Sequence, residues 1–255
     1  MRPQRIILIR HGESAANVDR TLHGHTPDHR IPLTPRGHEQ ARAAGVKLWD
    51  ELFVPAGVAA EGGGGNRVQF YTSPYLRTRE TFQGVLEGMK SRGALEVWNY
   101  EDPRLREQEF GNYRPPGTYD SIRDERDQFG TFFYRVPGGE SGADVYDRLT
   151  GAMDTMHRDF QKADFPDNMI VVSHGLTIRL FLMRWFHWTV EEFEKLRNPR
   201  NCQYYVLDKM ASERYELKTE MLRYTEAETH AYLARQEPGR ADMTADDRAG
   251  GPAEG

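Results

Sequence analysis

Five short apolar runs rich in β-branched residues, at 6–9, 68–72, 95–98, 169–172 and 204–207, alternate with longer segments of helical periodicity. Few architectures accept that order. Each run can be buried on both faces only if helices cover the sheet it joins, so the chain reads as α/β: a three-layer α/β/α sandwich with a mostly parallel sheet. The first connection shows the pattern in detail. Thr34-Pro35 has the form of an N-cap followed by proline at the first helical position. Ala41, Ala44, Leu48 and Leu52 then recur at three- and four-residue spacing, which predicts one amphipathic helix ending before Pro55.

Other stretches break the alternation. The glycine run at 61–66 follows no strand directly and opens no helix, so it reads as a flexible surface connection and not as a phosphate loop. From about 100 to 139 the sequence is charged, aromatic and proline-containing, with a short helix expected at 119–129; an excursion of this length suggests an insertion forming a lid. Beyond 236 almost nothing can be buried, and a disordered tail is expected at 236–255 after a single domain at 1–235.

At 255 residues the chain can bury a core without disulfides, and Cys202, its only cysteine, cannot form one internally. The net charge of −5 disfavours a nucleic-acid partner, so any anionic ligand must be attracted locally. No apolar run resembles a signal peptide or approaches the roughly 20 residues a bilayer requires. A soluble, cytoplasmic protein without a membrane partner is the expectation, with oligomeric state left open.

Two strands end alike. Ile6-Ile-Leu-Ile-Arg10-His11-Gly12 and Met169-Ile-Val-Val-Ser173-His174-Gly175 share a plan of apolar strand, polar residue and His-Gly, about 160 residues apart. One His-Gly after a strand is an ordinary way to leave a sheet. Two copies place two imidazoles outside strand carboxyl ends, where open α/β sheets bind ligands. No spacing of the HExxH kind suggests zinc, and His23, His25 and His29 read as a solvated or substrate-edge cluster. Arg10 adds a permanent charge and a planar fork suited to phosphate or carboxylate. Arg77, after Ser73-Pro74 at an expected helix start, adds a second. Arg79 faces elsewhere and reads as a surface charge.

These residues resemble the histidine phosphatase superfamily, in its phosphoglycerate mutase-like branch. The landmarks are Arg10-His11-Gly12-Glu13, Pro32-Leu33-Thr34 with Gly37, Ser73-Pro74 with Arg77-Thr78, Glu107 with Gly111, Pro137 to Ser141, and Ser173-His174-Gly175. The set spans Arg5 to about Asn201. Pro27-Asp28-His29, Arg106 to Gly111, Phe129 to Tyr134 and Asp144 to Arg148 resemble more closely the eukaryotic phosphoglycerate mutase-like proteins. The resemblance implies that His11 is the nucleophile, that Arg10, Arg77 and His174 hold the phosphoryl oxygens, and that Glu107 donates the proton. It implies substrate contacts for Asn17, Gly24 and Gly175. No cofactor and no metal is implied.

The chemistry fits those assignments. Fixed cations neutralise oxygens that repel a nucleophile, while their charge helps keep His11 unprotonated, and a hydrogen bond from its other ring nitrogen to a carbonyl would fix the tautomer. Gly12 would let phosphate approach the backbone. Glu109, two residues from Glu107, could share its face, and only the resemblance separates them. Phe110 stands where true mutases of the family carry tyrosine, and Arg114, Arg123 and Arg126 form no Arg-Arg pair. The reading is therefore a metal-independent phosphatase acting on a small phosphorylated metabolite through a phosphohistidine. The alternatives are a phosphoglycerate mutase-type phosphotransferase and a phosphate-binding regulatory protein.

Overall fold

The computed structural model describes residues 3–53, 66–113, 118–229 and 231. In chain order the elements are β1 (Arg5–Arg10), α1 (Ala15–Val18), α2 (Pro35–Leu48), β2 (Arg67–Thr72), α3 (Leu76–Lys90) and β3 (Glu96–Glu101). They continue with α4 (Thr118–Phe129), α5 (Gly142–Asp159), β4 (Asn168–Ser173), α6 (Gly175–Phe186), α7 (Val190–Glu194), β5 (Tyr204–Lys209) and β6 (Tyr215–Leu217). Short 3₁₀ turns occupy Arg20–Gly24, Asp28–Arg30 and Pro103–Leu105.

The strands form one six-stranded sheet in the order β3-β2-β4-β1-β5-β6. The β3, β2, β4 and β1 pairings are parallel, and β5 joins β1 and β6 antiparallel. Alternation along β1 explains the three layers. Ile6 and Leu8 point into a core with α5 and α6, where Leu149, Met153, Ile178 and Phe181 meet them. Ile7 and Ile9 point the other way, into a core with α2 and α3 built around Ala41, Leu48, Val85 and Met89. All four isoleucine and leucine side chains are fully buried, each worth about 1.5–3 kcal/mol of transfer free energy.

The helix expected from Thr34-Pro35 is α2. Thr34 Oγ1 accepts from Gly37 N at 3.0 Å, and Pro35 is its first residue. A wider turn at Trp49–Phe53 extends it, and Leu52 packs on the same core. The expectation that Ser73-Pro74 opens the next helix is corrected: α3 begins at Leu76, with Tyr75 at its N-cap. Ser73 N donates to Val172 O at 3.0 Å, which prolongs the strand ladder by one residue, and its hydroxyl is used elsewhere. Strand β6 is too short to leave a periodic signal. A third, small apolar group of Ile122, Tyr134 and Val136, with Phe110 against it, holds together the segment around α4. No helix among the described residues is long and apolar enough to cross a membrane. Residues 61–65 of the glycine run, Arg114 and the tail at 236–255 lie outside the described residues.

Candidate active site

Because β1 and β4 are parallel neighbours with Arg10 opposite Ser173, the residue after each strand arrives at the same level of the sheet. Those residues are His11 and His174. His11 N donates to Ser173 O at 3.0 Å, and the two rings meet edge to face with centroids 5.2 Å apart. Strand β2, on the other side of β4, delivers Ser73 to the same edge.

His11 is buried, and its Nδ1 lies 2.7 Å from the carbonyl oxygen of Gly12. A carbonyl can only accept, so Nδ1 carries the hydrogen and Nε2 keeps its lone pair. The loop that holds the ring is itself tied down. Gly12 N donates to Thr81 Oγ1 at 3.0 Å, and Cys202 N donates to the carbonyls of Arg10 and His11 at 3.1 and 3.3 Å. Asn201 Nδ2 donates to His11 O at 3.2 Å and to Asn17 Oδ1 at 3.1 Å. Gly12 has a packing reason of its own: a Cβ there would stand 2.5 Å from Gly37 O, so glycine is required where the loop packs on α2.

His174 lies one ring deeper and is fully buried. Its Nε2 is 2.8 Å from Ser73 Oγ, while Nδ1 has no hydrogen-bond partner among the described residues. His174 does not line the cavity; His11 and Tyr75 stand against it, the latter with ring centroids 5.1 Å away. Burial, then the charges of Arg77 and Arg10, holds His11 well below its ordinary value. Burial, then Arg77, does the same to His174. Both rings are therefore neutral near pH 7.

A cavity of about 740 Å³ opens above this edge, and His11, Arg10, Arg77, Glu107 and Asn17 all line it. Arg10 Nη1 donates to Pro199 O at 2.6 Å. Arg77, 5% exposed, donates through Nη1 to Asp28 O at 2.7 Å and Oδ1 at 3.0 Å, and through Nη2 to Asp28 Oδ2 at 3.0 Å. Its guanidinium lies over the Tyr75 ring, 4.9 Å from the centroid. Asn17 Oδ1 accepts from Ser14 N and Asn201 Nδ2, which leaves its amide hydrogens for the cavity. Gly24 and Gly175, expected to contact substrate, are not part of the wall. Gly24 ends a turn whose Arg20 and His23 do line it. Gly175 makes room for Asn198, whose Cγ would be 2.9 Å from a Cβ there.

Glu107 and Glu109 both line the cavity, but their surroundings differ. Glu107 Oε1 accepts from Thr177 Oγ1 at 2.9 Å, Gln108 N at 3.1 Å and Thr177 N at 3.2 Å. Among the described residues its Oε2 accepts only from Leu176 N, at 3.3 Å. The carboxylate thus sits on the first turn of α6, where free amides and the helix dipole receive an anion. Glu109 is exposed. Ser73, Asp28, Thr177 and Asn201 are site residues that the sequence reading left without a role in the site. Ser73 had a usable signal, since it follows β2 directly, as His11 and His174 follow their strands. Arg79 pairs with Glu101 at 2.6 Å on the surface, as expected. Among the described residues no group of three or more His, Cys, Asp and Glu could hold a metal ion.

Comparison with known proteins agrees with this geometry. The family described as Histidine phosphatase superfamily (branch 1) matches residues 6–220. A phosphoglycerate mutase-like protein of Arabidopsis thaliana, AT74H, is 46% identical over 221 residues, covering 84% of this chain and 77% of its own. The broad-range acid phosphatase DET1 of Saccharomyces cerevisiae is 31% identical, over 89% of this chain and 92% of its own. Among solved structures, an open reading frame product from Mycobacterium tuberculosis superposes with a TM-score of 0.62 at 25% identity, covering 87% of this chain and 99% of that one.

Proposed function

The chain belongs to the histidine phosphatase superfamily (branch 1), and we propose that it is a metal-independent phosphatase that hydrolyses a small phosphomonoester through a phosphohistidine. The observation that carries this reading is the tautomer of His11. Its Nδ1 hydrogen is committed to the Gly12 carbonyl, so the nucleophilic lone pair belongs to Nε2, beside two arginines that line the same cavity.

In the first step Nε2 attacks phosphorus as the ester P–O bond breaks. Arg10 and Arg77 hold the equatorial oxygens in place, and this positioning needs no solvent reorganisation during transfer. With the Ser73 hydroxyl as the donor to Nε2 of His174, 2.8 Å away, the His174 hydrogen stands on Nδ1, a further donor once a phosphoryl oxygen reaches past the His11 ring. Glu107 gives its proton to the leaving oxygen from Oε2, the oxygen with one amide contact, while Oε1 anchors the group. In the second step a water attacks the phosphohistidine, its proton passes to Glu107, and inorganic phosphate leaves with His11 restored. The segment around α4 acts as the lid of this cavity.

Hydrolysis is favoured over transfer back to a re-oriented substrate. Phe110 lines the cavity and packs against Ile122, Tyr134 and Val136, offering no hydroxyl where mutases of the family carry tyrosine. The relative named a broad-range acid phosphatase supports the same choice. Purified protein, assayed with chelator against a panel of phosphomonoesters, is expected to release phosphate, and His11→Ala to abolish that release. Wild-type inactivity across the panel, or activity surviving the substitution, refutes the proposal. Including 3-phosphoglycerate with its bisphosphate primer separates mutase from phosphatase.

A further inference from the structure

Pro27-Asp28-His29 takes no part in the chemistry above, yet it sets a carboxylate directly against the more deeply placed of the two clamp arginines. Among the described residues all the hydrogen bonds of the Arg77 guanidinium go to Asp28: both Nη1 contacts and the Nη2 contact. A guanidinium has five N–H groups. The Nη1 pair and one Nη2 hydrogen are used, so Nε–H and the second Nη2 hydrogen remain, side by side on one edge. That edge is a fork of the kind that matches two oxygens of a phosphoryl group.

We propose that Asp28 is a positioning residue for Arg77: it grips the end of the guanidinium so that the Nε–Nη2 edge is presented to the phosphoryl oxygens. The Tyr75 ring, 4.9 Å away, fixes the plane of the group, and Asp28 fixes its rotation within that plane. Asp28 is itself placed by its backbone. It opens the turn Asp28–Arg30 directly after Pro27, whose φ of −55° is set by its ring. Arg30 N closes the turn on Pro27 O at 2.8 Å. An anion competing with substrate would take the edge that substrate needs; Asp28 takes the other end. His23 Nδ1 lies 3.6 Å from Asp28 Oδ1.

The proposal rests on the phosphatase reading, and its test separates the two. Wild-type protein, Asp28→Ala, Arg77→Ala and the double variant are compared in kcat and KM with p-nitrophenyl phosphate. Binding of orthovanadate and of inorganic phosphate is measured by calorimetry. A group held about an ångström off its reacting geometry can cost on the order of a hundredfold. Asp28→Ala is therefore expected to lower kcat and vanadate affinity by roughly tenfold to a hundredfold, with a smaller change in KM, and to have no further effect once Arg77 is alanine. Unchanged kcat and vanadate affinity overturn the proposal. So does an equal loss in the Arg77→Ala background, or tighter vanadate binding, which would make Asp28 a competing anion. If wild-type protein turns over no ester, the phosphatase reading fails, and the two binding measurements still decide the role of Asp28. Should Asp28→Ala not fold, Asp28→Asn keeps the volume and the backbone acceptor but loses the Oδ2 acceptor, and is judged by the same criteria.

Discussion

At Glu107 one side chain divides its work between two oxygens. Three donors fix Oε1, and Oε2 is left with a single long contact from Leu176 N at 3.3 Å. Glu107→Gln keeps an acceptor for Thr177 but replaces the oxygen proposed to carry the proton with an amide that has no acidic proton. Loss of a general acid costs typically about 10²–10⁴ in rate. Hydrolysis of alkyl phosphomonoesters by this variant is expected to fall within that range, while aryl esters, whose leaving groups need little protonation, lose far less. The ratio of the two rate losses is the measurement, and equal losses would remove Glu107 from the acid's role. Spacing alone put Glu107 and Glu109 on one face. What separates them is Thr177, a residue 70 positions away that no local pattern connects to either. The same holds for Ser73 and His174, 101 positions apart and joined only because β2 and β4 are neighbours.

The elements that could be read from sequence were those with a local physical signal. Thr34-Pro35 marks the start of α2, and the apolar runs mark five strands; capping and burial act within a few residues for all but the edge strand β3, which is exposed at five of its six residues, against the expectation of a buried run. The start of α3 was misplaced because Ser73 looks like a cap, yet it stays in the sheet ladder and spends its hydroxyl on His174. Helix α5 shows a cap that does work locally. Ser141 Oγ accepts from Asp144 N at 3.1 Å, and Asp144 Oδ2 accepts from Ser141 N at 2.7 Å. Removing the hydroxyl leaves an amide of the first turn without its acceptor. Ser141→Ala is expected to destabilise the protein by about 1 kcal/mol, without changing kcat. Chemical denaturation with the midpoint slope held constant checks the stability, and a cost near zero would assign the cap's work to the Arg135–Asp144 pair instead.

Across the whole molecule, charge and proton uptake are local properties. The chain carries −5, yet its cavity is lined by seven arginines against Asp28, Glu107, Glu109 and Asp127. Folding also buries His11 and His174 with both values held well below 6.5. As pH falls through 6.5 the unfolded chain takes up a proton on each, and the folded chain does not until lower pH. This contribution to stability is complete above 6.5 and declines below it, by up to about 1.4 kcal/mol per pH unit for each histidine. Denaturation midpoints measured from pH 7.5 to pH 5 are expected to fall, and His174→Asn to shallow the slope; a flat profile would contradict the burial argument. The sheet order has a consequence for how such proteins diversify. The two histidines are brought together by the pairing of β1 with β4, with ring centroids 5.2 Å apart, and their separation owes nothing to the length of chain between them. Insertions and deletions in the intervening segment that leave Ser73, Arg77 and Glu107 in place can reshape what the cavity admits while the separation of the two imidazoles stays the same.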